Sequence, residues 1–113
     1  MIRVSIEREK ETNRIQSFTI SGHANAGPHG YDIVCAAVSA LSIGAVNAVE
    51  KLCHVQLPIE SGKKGGYLRC DIPKELTKSA DRDVQLLIEG MCVALRDIAR
   101  EYSSHVTVKE EQL

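Results

Sequence analysis

No stretch of this sequence holds five or six like charges in a row, and fourteen Lys and Arg against fifteen Asp and Glu leave a formal charge of −1. The basic tail or stripe that draws a protein onto nucleic acid is therefore missing. The first residues, Met1-Ile2-Arg3-Val4-Ser5-Ile6-Glu7, lack the apolar run of a secretory signal, so a cytoplasmic protein is expected. No CxxC occurs: Cys35, Cys53, Cys70 and Cys92 are separated by 17, 16 and 21 residues, which argues against a zinc ribbon or a thioredoxin-like motif. In a reducing compartment these four are expected as free thiols. The longest uncharged run, Ile33 to Val49, contains Ser39, Ser42 and Asn47, and is expected to be too short and too polar to span a bilayer. Internal repeats and low-complexity segments are absent as well.

What remains is ordinary globular composition: 113 residues, 43% apolar and 26% charged, enough for a single domain over residues 1–113 with one core. Residues 2 to 8 alternate, with Ile2, Val4 and Ile6 on one side, as in a half-buried strand. A polar turn at 9 to 13 leads to a second alternating run at 15 to 21, closing an antiparallel hairpin. Residues 22 to 32, GHANAGPHGYD, form a glycine-rich loop. From Asp32, placed as N-cap, a helix is expected to about Leu52, with Ile33, Ala37, Leu41, Ala45, Ala48 and Leu52 at turn-like spacing. Its opposite side carries Val34, Val38 and Val49, so this helix needs cover on two sides. Residues 55 to 60 and 67 to 72 form a second hairpin about Ser61-Gly62-Lys63-Lys64-Gly65-Gly66. A second helix fits 80 to 102, capped by Ser79 and striped by Val84, Leu87, Ile88, Met91, Leu95, Ile98 and Tyr102. A last strand, His105 to Val108, completes the order ββαββαβ. The fold class is α+β: a mainly antiparallel sheet with two helices on it, in two layers.

The glycine loop is flanked by His23 at the end of a strand and by Cys35, three positions after the N-cap. A thiol there faces the unpaired amides and the positive end of the helix dipole, which favour a thiolate. With an imidazole beside it, the pair meets the needs of nucleophilic catalysis, the imidazole later protonating the leaving amine. Strand parity opposes this arrangement: a regular strand would turn His23 away from the helix layer, so Gly22 must break it. The residues alone point more often to Cys35 as a small buried side chain and His23 as a polar loop residue.

The run Gly22-His23-Ala24 with Gly27 and Gly30, followed by Asp32-Ile33-Val34-Cys35-Ala36-Ala37-Val38-Ser39-Ala40, resembles the ribosomal-processing cysteine proteases of the Prp family. The resemblance extends over nearly the whole chain. It implies a cytoplasmic endopeptidase that removes the N-terminal extension of a large-subunit ribosomal protein, acts as a homodimer and needs no cofactor. It assigns Cys35 as nucleophile and His23 as base. Pro28 and the Lys63-Lys64 turn depart from the family pattern, away from the two catalytic positions.

Asp32 has two available roles, capping the helix or orienting His23. Ser39, one turn after Cys35, fits either a hydrogen bond at the site or close packing. Backbone amides of the helix N-terminus are the expected holders of the oxyanion. Gly22, Gly27, Gly30 and Tyr31 belong to a loop expected to be mobile without substrate and to close over a bound peptide, and His29 lies in it too. His54 beside Cys53 lacks a second pair of ligands, so no metal is expected. The Ser61 to Gly66 turn lacks the helix of a phosphate loop and is taken as a hairpin turn. Cys53, Cys70 and Cys92 fall in apolar patterns as inert thiols. Ala36, Ala40, Gly44 and Ala48 would admit a close-packed partner, as in a homodimer, with neither nucleic acid nor membrane as direct partner. The competing reading is a non-catalytic, ribosome-associated binding module; a redox role for Cys35 is weakened by the lack of an adjacent resolving cysteine.

Overall fold

The computed structural model describes residues 1–24, 27, 32–62 and 65–113. These form strands β1 (Ile2–Arg8) and β2 (Ile15–Ser21), helix α1 (Ile33–Cys53), strands β3 (Ile59–Ser61) and β4 (Tyr67–Asp71), helix α2 (Lys78–Glu101) and strand β5 (Val106–Gln112). The order ββαββαβ and the two-layer α+β architecture agree with the sequence analysis.

The sheet runs β3-β4-β2-β1-β5, antiparallel at every pairing except β1 with β5, which is parallel. These directions make β2 parallel to β3 and β4 parallel to β5. Each helix is therefore a crossover between parallel strands, and such connections need a dozen or more residues. Both helices lie on the same face, where alternation puts Ile2, Val4, Ile6, Phe18, Ile20, Cys70 and Val106. Ile6 stands opposite Phe18, and Phe18 opposite Cys70, so one buried row crosses three strands. The other face is polar. There Glu7 accepts from Ser17 Oγ at 3.0 Å and from Arg69 at 3.2 Å, and Arg69 also reaches Asp71 at 3.1 Å.

Several boundaries move from their sequence positions. Thr77, not Ser79, caps α2, its Oγ1 accepting from Ala80 N at 3.1 Å; both hydroxyls suit a cap, and the earlier one takes it. Strand β3 is confined to three residues: His54 leaves α1 at φ 56°, and Val55 to Pro58 are irregular, with Leu57 buried. Strand β5 starts at Val106 and continues to Gln112, because it pairs along the whole of β1, from Ile2 with Val106 to Arg8 with Gln112. The polar residues that close β5 gave no strand signal of their own.

The buried side of α1 also differs from the expected stripe. Val34, Val38, Ser42 and Val49 face the core, whereas Ile33 and Leu52 are 66% and 69% exposed. A helix apolar on all sides does not disclose which side is covered. At 21 residues α1 is, by length and composition alone, long and apolar enough to cross a membrane, against the expectation from its uncharged portion. It packs here against α2 and the core.

Ion pairs fasten α2 to the strands. Arg8, 7% exposed, donates to both Glu89 oxygens at 2.7 Å, to Glu110 at 3.0 Å and to the Asn13 carbonyl at 3.0 Å. Arg14 donates to Asp81 at 2.8 Å and to the Pro73 carbonyl at 2.7 Å. Gln85 exchanges two bonds with the backbone of Ile15, at 2.9 and 2.7 Å. The hydrogen bonds from Arg8 hold the Glu89 carboxyl below its ordinary 4.5. A depressed carboxylate contributes stability that is complete above the unfolded pKa and is lost as pH falls through the folded one. The Tm advantage of the wild type over Glu89→Gln, followed by circular dichroism, should thus be positive at neutral pH and shrink as pH falls below the ordinary carboxylate range. An advantage independent of pH would show that this pair contributes through packing alone.

Candidate active site

Helix α1 begins sharply because Asp32 caps it. Its Oδ1 accepts from the backbone amides of Val34 and Cys35, each at 3.0 Å, and its carbonyl accepts from Ala36 N at 3.1 Å. Cys35 is the third helical residue and half-buried. Its sulfur accepts a hydrogen bond from Ala24 N at 3.3 Å.

Ala24 reaches the sulfur because β2 ends abruptly at Ser21. Gly22 has φ +93°, and a Cβ there would lie 2.2 Å from the Met1 carbonyl oxygen. This is the strand break that parity required. Beyond it His23 and Cys35 line one cleft of about 330 Å³, shared with Ser39 and bounded by the turn that joins β3 to β4. Ile20, Val38, Ile43, Tyr67 and Leu68 give the cleft apolar walls. At its floor Ser42 is satisfied internally, donating to the Val38 carbonyl at 2.8 Å.

The amides of Val34, Cys35 and Ala36 are engaged by Asp32 in the resting protein. The amide that faces the sulfur is that of Ala24. Two further residues at the site carried no sequence signal. The imidazole of His105 lies with Nδ1 2.8 Å from the Ala24 carbonyl, and Gly66 accepts from Gly22 N at 2.8 Å. An amide aimed by chain geometry leaves no mark on residue identity, and His105 lies 81 positions from its partner. Gly27 is exposed. Gly30, Tyr31, His29 and Pro28 of the loop, and Lys63 and Lys64 of the turn, lie outside the described residues, as do the mobility and closure expected of that loop. Among the described residues no His, Cys, Asp and Glu cluster could hold a metal ion.

The other thiols are placed differently. All four cysteines are unpaired. Burial pushes Cys70 up to about 12 and Cys92 up to about 11, and raises Cys53 as well.

Residues 1–107 match the family described as cysteine protease Prp. The chain is 43% identical over 108 residues to the ribosomal processing cysteine protease Prp of Bacillus subtilis, covering 96% of each chain. It superimposes with a TM-score of 0.89 on the ribosomal processing protease Prp of Staphylococcus aureus in complex with a covalently linked product peptide, at 29% identity, covering 98% of this chain and all of that one. Against the same protease in complex with a substrate peptide the TM-score is 0.81, at 28% identity and the same coverage.

Iodoacetamide at neutral pH should label Cys35 first, Cys53 slowly, and Cys70 and Cys92 only after unfolding, since the thiolate is the reactive form. Peptide mapping by mass spectrometry at successive times reads the order directly. Early labelling of Cys70 or Cys92 would contradict their burial.

Proposed function

The chain belongs to the Prp family of ribosomal processing cysteine proteases and is a hydrolase; on that premise we propose that Cys35 is its nucleophile and His23 its general base and acid. The observation that carries this reading is one apolar-walled cleft at the start of α1 lined by both the Cys35 thiol and the His23 imidazole. His23 takes the proton of the Cys35 thiol; the thiolate attacks the carbonyl carbon of the scissile peptide bond, the C=O π bond opens, and the carbonyl oxygen takes the negative charge. The Ala24 amide, which donates to the sulfur in the resting protein, is the donor offered to that oxygen, which forms two bonds away from the sulfur. The C–N bond then breaks as His23 protonates the leaving amine, and a thioester remains. Water, deprotonated by His23, attacks the thioester, releasing the carboxylate product and the thiol.

The substrate is the N-terminal extension of a bacterial large-subunit ribosomal protein, bound extended with apolar side chains against Ile20, Val38, Ile43, Tyr67 and Leu68. The Staphylococcus aureus relative, seen with substrate and product peptides, supports a peptide in the corresponding groove. Asp32 supports the site by capping α1, and Ser39 by its place on the cleft one turn after Cys35. The reaction needs no cofactor and proceeds in the cytoplasm, where ribosomes assemble, with residues 1–113 as one catalytic domain and with neither nucleic acid nor membrane as a direct partner.

Two experiments test this. Purified wild type incubated with the extended ribosomal protein should shorten it by one defined fragment, seen by intact mass. Cys35→Ala should abolish the cleavage without loss of fold, because alanine suits a helix and only the attacking atom is gone; His23→Ala should lower kcat by about 10²-fold or more. A tenth of wild-type turnover in Cys35→Ala would reject it as nucleophile.

The outer side of α1 supports a homodimer. Ala36, Ala40 and Gly44 are exposed beside Ile43, which is 54% exposed, and a contiguous apolar patch of this kind marks a binding surface. Light scattering at micromolar concentration should give a mass of about 25 kDa, twice the 12.4 kDa of one chain. A stable species at 12.4 kDa would refute the dimer.

A further inference from the structure

The turn between β3 and β4 bounds the cleft and supplies no reacting group, yet it lies against the imidazole. Gly65 and Gly66 both adopt backbone angles that side chains disfavour, φ +76° and +74°. Their surroundings differ. A Cβ built on Gly65 meets nothing within 4 Å. A Cβ built on Gly66 would stand 2.6 Å from Nε2 of His23, 3.0 Å from Cε1 and 3.3 Å from Cδ2. The Nε2 corner of the ring thus rests in the place where any other residue would carry its side chain. The carbonyl of Gly66 also accepts from Gly22 N at 2.8 Å, one residue before His23.

We propose that Gly66 is a positioning residue for the peptidase reaction: its bare Cα is the seat of the His23 ring, and its carbonyl holds the strand end from which that ring projects. The inference rests on the reading of His23 as general base and acid. Proton transfer needs the imidazole within hydrogen-bond reach of sulfur and leaving nitrogen. A methyl group at Gly66 cannot coexist with the ring where it stands. The backbone is held by the Gly22 bond and by β4, so the ring is what moves. A displacement of about 1 Å at a reacting group costs on the order of 10²-fold in rate.

Gly65 supplies the control, since alanine there meets the same backbone strain and no imidazole. Gly65→Ala, Gly66→Ala and His23→Ala are compared with wild type for kcat and KM on a peptide spanning the cleavage site, for Tm, and for the pH dependence of Cys35 alkylation by iodoacetamide. The two glycine variants should lose similar Tm. Gly66→Ala should lower kcat by about 10²-fold more than Gly65→Ala does, with KM no more affected than in Gly65→Ala, and should shift the alkylation profile towards that of His23→Ala, whereas Gly65→Ala should not shift that profile. Equal kcat and equal alkylation profiles in the two glycine variants would overturn the inference. Should Gly66→Ala fail to fold, Gly66→Asn against Gly65→Asn gives the same comparison, because asparagine tolerates positive φ while bringing the same Cβ to the ring. Full turnover in His23→Ala would remove the acid-base reading and this inference with it. An inactive His23→Ala beside a Gly66→Ala no worse than Gly65→Ala would remove this inference alone.

Discussion

At the end of β2 the chain turns through Gly22, whose φ of +93° and the Met1 carbonyl oxygen, 2.2 Å from where a Cβ would lie, admit no side chain. Had the strand continued regularly, alternation would have sent His23 to the open polar face with Ser17, Thr19 and Ser21, across the sheet from Cys35. The turn instead puts the ring in the cleft, and the next residue then aims its amide at the Cys35 sulfur. His105, at the entry to β5, meets the Ala24 carbonyl and fixes that stretch from the other side. Three consecutive residues thus serve the site through backbone geometry, side chain and backbone amide in turn.

The topology explains why a strand end and a helix start lie together here. Helix α1 is the crossover from β2 to β3, so its first turn begins close to where β2 stops. The cap supplied by Asp32 makes that start sharp, and Cys35 falls in the first turn with its sulfur towards the strand end. The same cap engages the amides of Val34 and Cys35. The amide of Ala24, from the other side of the cleft, donates to the Cys35 sulfur.

The two helices divide the work by composition. Helix α2 is strongly two-sided, with Val84, Ile88, Met91, Cys92 and Leu95 buried and with Asp81, Gln85 and Glu89 bonded to the strands. Helix α1 has no charge before Glu50 and carries Cys35 on the side of the cleft and small exposed residues on another. The cysteines follow the same division. Burial holds Cys70 and Cys92 as thiols, while Cys35 sits at a helix start with its sulfur on the cleft.

Much that depends on neighbours along the chain could be read from the residues: the alternation of β1 and β2, the existence of α1 and α2, the cap at Asp32 and the strand break demanded at Gly22. These are properties of a few adjacent dihedrals and side chains, and residue identity constrains them directly. The tertiary structure alone decided the rest. Lys109 to Gln112 became strand because β1 offered an unpaired edge, and Ile33 and Leu52 were left in solvent because α2 and the sheet covered the other sides of α1. The Ala24 amide, the His105 imidazole and the bare Cα of Gly66 came to the site from segments distant in sequence or through backbone atoms that every residue shares. Such contacts are set by how elements pack, and no local pattern in the chain encodes them.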